Sequence, residues 1–191
     1  MTASEPSASM LREAIDAVHA GNSDMAVEVL NRILSKNPEH AGAHFLLGGE
    51  YAQVGMLEAA YREMDAALAS EPELHQARFL YGLMKFTQGD IAGAQTLWLP
   101  LDRLRDSHAL KQFAAGLLHV ATYDLNGAVE LLKAGLNAEG GNPSLTRSIE
   151  AVVRDLEGLM ANTGTPDQVQ PLGAEPDNHV LLSNYHPSEG A

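Results

Sequence analysis

Residues 41–74 read AGAHFLLGGEYAQVGMLEAAYREMDAALASEPEL, and this pattern of 34 residues occurs four times in succession along the chain. The other three rows are residues 7–40, 75–108 and 109–142, and they align with it without an insertion. On both sides of Gly55, apolar residues recur every three or four positions, which is typical of amphipathic helices. The period therefore predicts four pairs of helices joined by short turns.

Small residues occupy two positions of each row, where the paired helices must touch. The eighth position holds Ala14, Gly48, Gly82 and Gly116, and the twentieth holds Ala26, Ala60, Ala94 and Ala128. Apolar residues, most of them large, fill two positions further along the second helix. The twenty-fourth position holds Leu30, Met64, Trp98 and Leu132, and the twenty-seventh holds Ile33, Ala67, Leu101 and Gly135. We expect the residues at these last two positions to face the next helix along the chain.

Turn residues and prolines mark the ends of the predicted helices. The fifteenth position of the rows holds Gly21, Gly55, Gly89 and Tyr123. Glycine suits this place because a helix end often needs a positive φ angle. Pro38 and Pro72 are placed to stop the second helix of their rows. In row three, Pro100 falls inside the second helix, and we predict a bend there because proline lacks the N–H donor that the helix requires.

This pattern resembles the tetratricopeptide repeat (TPR) family, whose units are antiparallel helix pairs. The resemblance implies an all-α fold, a right-handed α-solenoid of four TPR helix pairs in residues 7–142. Residues 143–161 begin with proline and carry apolar residues at helical spacing, so we predict a C-terminal capping helix there. Residues 1–6 are predicted to be an N-terminal tail. Residues 162–191, rich in proline and acidic residues and without lysine or arginine, are predicted to be a flexible tail.

In the TPR family the first helix of each pair lines a concave groove, so the resemblance implies which residues would face a partner. At most of these positions the chain carries apolar side chains. The candidate groove residues are Leu11, Ile15, Phe45, Phe79, Leu83, Phe86, Phe113, Leu117 and Val120. A row of phenylalanines left in water would form an apolar patch of the kind that marks an interaction site. The alternative is that these side chains pack between repeats as core.

Charge and composition exclude several classes of function. The formal charge of -13 opposes binding to nucleic acid or to an anionic membrane, because both carry dense negative charge. The chain has no cysteine, which excludes disulfides, thiolate catalysis and cysteine-ligated zinc. No uncharged apolar segment reaches the roughly 18 residues that span a bilayer, and residues 1–9 do not resemble a cleaved signal. We therefore expect a cytoplasmic protein without membrane insertion.

No arrangement of residues points to catalysis, to a cofactor or to a bound metal. His40 and His44 are four positions apart, but a row boundary lies between them and no third ligand has useful spacing. Some TPR domains clamp acidic C-termini with lysine, arginine and asparagine in the groove. We do not expect this clamp, because the corresponding positions hold Leu11, Ile15, Leu46, Gln76 and Leu80.

These features favour a non-catalytic module, an adaptor or chaperone-like protein that binds an apolar peptide or helix of another protein in its groove. Its size and acidity are similar to those of the small TPR chaperones of type III secretion translocators. An alternative is a regulator whose groove is closed by its own tail. The tail stretch NHVLLSNYHPSEG, residues 178–190, holds the apolar residues Val180, Leu181, Leu182 and Tyr185. Exchange of this tail between two chains would give a homodimer.

Overall fold

The structure, a computed structural model, describes residues 4–139 and 143–162. These residues form nine α-helices and one 3-10 helix, and their only β-type pairing is a single bridge between His108 and Glu139. The helices are α1 (Ser4–His19), α2 (Ser23–Lys36), α3 (Ala41–Gln53), α4 (Leu57–Ser70), α5 (His75–Thr87), α6 (Ile91–Trp98), α7 (Ala109–Ala121), α8 (Leu125–Leu136) and α9 (Pro143–Asn162), with the 3-10 helix at Leu99–Arg103. The predicted all-α solenoid class, built from helix pairs, is confirmed.

The described residues divide into two compact units, one up to Met84 and one from Lys85 onward. In the first unit α1 packs on α2, α2 on α3, and α3 on α4. In the second unit α6 packs on α7, α7 on α8, and α8 on α9. Each unit therefore repeats the same arrangement, in which a helix contacts its predecessor and its successor in the sequence.

The small residues of the eighth position let the paired helices approach closely. A Cβ atom on Gly48 of α3 would lie 3.1 Å from Met64 Cε and 3.2 Å from the Ala60 carbonyl oxygen, both in α4. In the last pair, Cβ atoms on Gly116 and Gly135 would each meet a side chain of the other helix of the pair. In this pair the twenty-fourth and twenty-seventh positions therefore contact α7, the preceding helix. That they also face the next helix stays a prediction.

The turn within each helix pair contains one residue with a positive φ angle. It is Gly21 (71°), Gly55 (76°), Gly89 (80°) and Tyr123 (60°) in the four rows. Tyr123 adopts the same left-handed conformation as the three glycines, although its Cβ atom makes that conformation less favourable. The turn geometry is thus retained in row four at the expense of local backbone strain.

Side-chain caps begin the second helices of the first, third and fourth pairs, and the second pair has no such cap. Asn22, Asp90 and Asp124 accept hydrogen bonds from the backbone N–H of Met25, Gly93 and Gly127, at 3.2, 2.9 and 3.0 Å. These three residues share the sixteenth position of their rows. Row two has Met56 there, and its side chain makes no capping hydrogen bond. Helix α4 therefore begins without the acceptor that its counterparts possess.

Pro100 interrupts the second helix of row three, as predicted. The α-helix ends at Trp98 and a 3-10 helix follows, because Pro100 cannot donate the bond that would continue α6. The loop that follows is held by Lys111 of α7. Its Nζ donates to the carbonyl oxygens of Asp102 and Leu104 at 3.0 and 3.3 Å and to Asp106 Oδ1 at 2.7 Å.

Helix α9 covers the end of the second unit. Its apolar face is buried and packs on α8, which removes apolar surface that a solenoid end would otherwise expose. The buried residues of this face are Leu145, Ile149, Val153 and Leu156. Lys133 of α8 reaches Glu157 of α9 at 2.5 Å on the exposed side.

Candidate functional site

The nine candidate groove residues lie on α1, α3, α5 and α7, the first helices of the pairs, and they fall into two groups by exposure. Partly exposed are Ile15 and Leu83 in the first unit and Phe86 and Val120 in the second. Buried are Leu11, Phe45, Phe79, Phe113 and Leu117. Phe45, Phe79 and Phe113 are therefore not left in water, whereas Phe86 is partly exposed.

Phe113 is buried by its own helix pair. A Cβ atom on Gly135 of α8 would lie 2.5 Å from Phe113 Cε1, so the ring occupies the space that a side chain at residue 135 would need. Phe113 is 0% exposed, and it belongs to the core of the second unit.

Phe86 keeps part of its ring accessible while the rest packs on α6. Its ring centroid lies 5.8 Å from that of Trp98, with the two planes inclined by 33°. This distance and angle are within the range of favourable aromatic pairs. The contact holds Phe86 against α6 while the residue as a whole stays partly exposed.

Most of helix α3 is buried, whereas His44, Tyr51 and Gln53 are partly exposed. The TPR family lines its groove with five positions of the first helix. Four of them hold buried residues in row two, Gly42, Phe45, Gly49 and Ala52, and the fifth holds Gln53. The groove positions of row two are therefore accessible mainly at Gln53.

Two positions of a carboxylate clamp lie in the core. Leu46 and Leu80, at two of the positions where a carboxylate clamp needs polar residues, are buried with 0% and 3% exposure. Arg78 Nη2 donates to the carbonyl oxygen of Pro72 at 2.6 Å, so this guanidinium braces the loop before α5.

His40 and His44, the two histidines with metal-like spacing, each make structural hydrogen bonds. His40 Nδ1 caps α3 by accepting a bond from the Ala43 N–H at 3.2 Å. His44 lies between two acceptors, with Nδ1 2.7 Å from Glu63 Oε2 and Nε2 2.8 Å from the Pro38 carbonyl oxygen. Burial lowers the pKa of His40, which favours the neutral ring that a capping acceptor must be.

Within residues 4–139 and 143–162, no three histidine, aspartate or glutamate side chains cluster as metal ligands would. Burial, together with the charge of Asp65 and a hydrogen bond to it, raises the pKa of the Tyr81 hydroxyl to about 12. Tyr81 also stacks on Tyr61 with ring centroids 5.5 Å apart, so it joins α4 to α5 as a packing residue.

Neither a protein-family model nor a curated protein sequence matches this chain. Several solved structures are similar to it. PilF of Pseudomonas aeruginosa has a TM-score of 0.62 and 22% sequence identity, and the similarity covers 85% of this chain and 78% of PilF. MamA has a TM-score of 0.57 and 15% identity, over 84% of this chain and 87% of MamA. A double mutant of MamA RS-1 has a TM-score of 0.57 and 14% sequence identity, and the similarity covers 81% of this chain and 96% of the mutant chain.

MamA and PilF consist of tetratricopeptide repeats, and their likeness covers most of both chains. This chain has the tetratricopeptide-repeat fold. TPR proteins are typically non-catalytic scaffolds that bind other proteins, and on such a fold specificity depends on individual side chains rather than on the scaffold. In the part of the chain that the structure describes, no helix is both long enough and apolar enough to cross a membrane.

The predicted tail residues Val180, Leu181, Leu182 and Tyr185 lie outside the described residues. Sequence reasoning also missed the capping position. Asn22, Asp90 and Asp124 occupy the sixteenth position of their rows, where row two has Met56. Three capping residues at one position of the aligned rows were a readable signal.

Proposed function

We propose that this chain is a non-catalytic TPR scaffold of the cytoplasm, an adaptor or chaperone-like protein that binds an apolar peptide or helix of another protein. The observation that carries the proposal is the partial exposure of four apolar side chains on the first helices of the pairs. They are Ile15 and Leu83 in the first unit and Phe86 and Val120 in the second.

The binding energy would come from apolar contact. Removing the accessible part of one such side chain from water contributes on the order of 1 kcal/mol. The partner must therefore make further contacts, because association itself costs about 4 kcal/mol or more. Because Leu46 and Leu80 replace the polar residues of a carboxylate clamp, affinity should depend little on a terminal carboxylate or on salt. A chaperone for secreted translocators is one role with these requirements.

A peptide selection tests this function. Random peptides displayed on phage are selected on the full chain, and the winners are synthesised and measured against a Leu83→Ser/Val120→Ser variant. We expect selected peptides to be apolar and to bind this variant about tenfold more weakly. Tyr123→Ser is the matched control, since Tyr123 is exposed but lies in a turn. Equal binding to wild type and to the double variant would refute the groove.

A second candidate function is suggested by the apolar tail stretch 178–190 together with the partial exposure of Ile15, Leu83, Phe86 and Val120. We propose that this stretch covers these apolar side chains until a partner competes for them. In this alternative the protein is a regulator, and exchange of the tail between chains would produce a homodimer.

Hydrogen exchange separates the two candidates. If the tail closes the groove, the amides of Leu181 and Leu182 should exchange at least about tenfold more slowly than random coil. Exchange at random-coil rates at both residues would refute closure of the groove by the tail and would leave the open scaffold as the remaining candidate. Sedimentation over a range of concentrations then shows whether the docked tail belongs to the same chain or to a second one.

A further inference from the structure

Row four contains an asparagine that is followed directly by a glycine. Asn126–Gly127 is the only Asn–Gly pair of the sequence, and it lies in the first turn of α8, where Asn126 is exposed. Among the peptide bonds that asparagine forms, the bond to glycine deamidates most readily, because glycine has no side chain to obstruct ring closure. The pair is therefore a candidate site of covalent modification.

The glycine of this pair is explained by the cap of α8. A Cβ atom on Gly127 would collide with Asp124 Oδ2 and would lie 2.8 Å from His119 Nδ1. Row three has the same arrangement, since a Cβ atom on Gly93 would collide with the carboxylate of Asp90. In these two rows the capping carboxylate therefore leaves room only for glycine three positions later.

The asparagine occupies a position that accepts other residues. The other rows have Asp24, Glu58 and Ala92 there. Rows one and two thus carry a carboxylate in the first turn of the second helix, where it interacts favourably with the helix dipole. Deamidation of Asn126 would supply row four with the same group.

The backbone nitrogen that must attack is held in the folded chain. The Gly127 N–H donates to Asp124 Oδ1 at 3.0 Å, and the Ala128 N–H donates to the Asp124 carbonyl oxygen at 2.9 Å. The helical ψ angle of Asn126 also keeps its side chain away from the Gly127 nitrogen. Reaction therefore requires that the first turn of α8 open.

The turn that leads into α8 favours such opening. Tyr123 has a φ angle of 60°, whereas the corresponding residues of the other three rows are glycines. A side chain makes this conformation unfavourable, so opening of the turn releases strain. Helix ends also open locally at a small cost in free energy.

We propose that Asn126 is a deamidation site whose rate is set by opening of the first turn of α8. The Gly127 nitrogen gives its proton to a base in the solvent and bonds to Asn126 Cγ. Ammonia leaves, and a cyclic succinimide remains. Water then opens the ring at one of its two carbonyl groups, which gives aspartate or isoaspartate. Overall, one water molecule is consumed and one ammonia molecule is released.

The two products have opposite effects on the second unit. Aspartate adds a carboxylate to the first turn of α8, so Asn126→Asp should raise the melting temperature by about 1–3 °C. Isoaspartate lengthens the backbone by one carbon atom and disrupts the hydrogen bonds of that turn. The modification thus changes the helix pair to which the groove residue Val120 belongs.

Mass spectrometry of the full chain tests the proposal. The protein is kept in mildly alkaline buffer, with and without urea, and the peptide that contains Asn126 is followed over time. Chromatography separates its aspartate and isoaspartate forms. Deamidation should be at least about tenfold faster in urea than in the native protein. Asn126→Ala, which introduces the residue of row three, should abolish the mass change in this peptide.

Variants of the capping residue test the control by the turn. Asp124→Ala removes the cap and should speed the native reaction about fivefold. Asp124→Asn keeps a capping oxygen, as Asn22 does in row one, and should react at nearly the rate of wild type. Neither variant changes a groove residue, so peptide binding reports separately on the proposed function.

Three results would overturn the proposal. One is an equal native rate in wild type and in a folded Asp124→Ala variant. Another is a rate in Asp124→Asn as high as in Asp124→Ala, which would assign the effect to the charge and not to the cap. The third is a native rate of wild type as high as its rate in urea, which would mean that the folded turn gives no protection.

Discussion

Gly116 of α7 lies so close to Leu132 of α8 that a Cβ atom on the glycine would be 2.8 Å from Leu132 Cγ. The same atom would lie 3.2 Å from the carbonyl oxygen of Ala128. These three residues are the eighth, twenty-fourth and twentieth positions of row four. The sequence period thus corresponds to the contact that pairs the two helices.

Gly116→Ala should therefore destabilise the second unit. The new methyl group would press on Leu132 and on the backbone of Ala128, and such overpacking costs about 1–3 kcal/mol. Urea unfolding followed by circular dichroism measures the change. Gly158→Ala is the control, because a Cβ atom at residue 158 would meet nothing within 4 Å. That exposed helical glycine should gain about 0.5–1 kcal/mol when replaced by alanine. Similar effects at both residues would contradict the close contact.

Tyr123→Asn should stabilise the turn between α7 and α8. Tyr123 has a φ angle of 60° and is 85% exposed, so the substitution relieves backbone strain without removing packing. Asparagine tolerates this conformation better, and we expect a gain of about 0.5–1 kcal/mol in the free energy of unfolding. Gly55→Ala is the converse test, since Gly55 has a φ angle of 76° and nothing within 4 Å of a Cβ atom. It should lose about 1 kcal/mol, and a neutral result for both changes would show that the turns are unstrained.

The cap formed by His40 should make stability depend on pH. Burial lowers its pKa below the ordinary 6.5, so the unfolded chain takes up the proton first as the pH falls. The stabilisation is complete above about pH 6.5 and decreases as the pH drops below that value. His40→Asn keeps a capping oxygen and removes the titration. Its free energy of unfolding should fall less than that of wild type between about pH 7 and about pH 5. Parallel curves for the two proteins would contradict this role.

Glu50→Met should stabilise the first unit. Glu50 is 1% exposed, and neither of its carboxylate oxygens has a hydrogen-bond partner within the part of the chain described. Row three has Met84 at the same position, 3% exposed, and methionine has nearly the volume of glutamate. Removing an unpaired buried carboxyl group should add about 1–3 kcal/mol, measured by urea unfolding. Glu28→Met, at an exposed site, should change stability by less than about 0.5 kcal/mol. A loss of stability in Glu50→Met would mean that the carboxyl group is satisfied.

The sequence predicted the fold well because the fold depends on local repetition. Gly116, Ala128 and Leu132 recur at a fixed period, and Pro100 breaks α6 by a mechanism that needs no tertiary context. The positive φ angle of Tyr123 could not be predicted from local preference, because tyrosine disfavours it. The turn geometry that row four shares with the other rows imposes it.

The candidate site was less predictable, because exposure depends on what packs against each side chain. Phe113 was expected in a groove, but Gly135 at the twenty-seventh position leaves a space that its ring fills. The signal was present in the sequence as a glycine where the other rows have Ile33, Ala67 and Leu101. Recognising this signal requires comparing the side-chain volumes at residues 113 and 135.

Methyl NMR of the full chain tests the groove most directly. Ile15, Leu83 and Val120 carry methyl groups at the partly exposed groove positions, while Val54 and Leu99 carry methyl groups at exposed positions elsewhere. A peptide obtained by selection on the full chain is titrated into the isotopically labelled protein. We predict that the methyl signals of Ile15, Leu83 and Val120 shift in proportion to bound peptide, while those of Val54 and Leu99 stay in place. Shifts confined to Val54 and Leu99, with the three groove methyl signals unchanged, would contradict it.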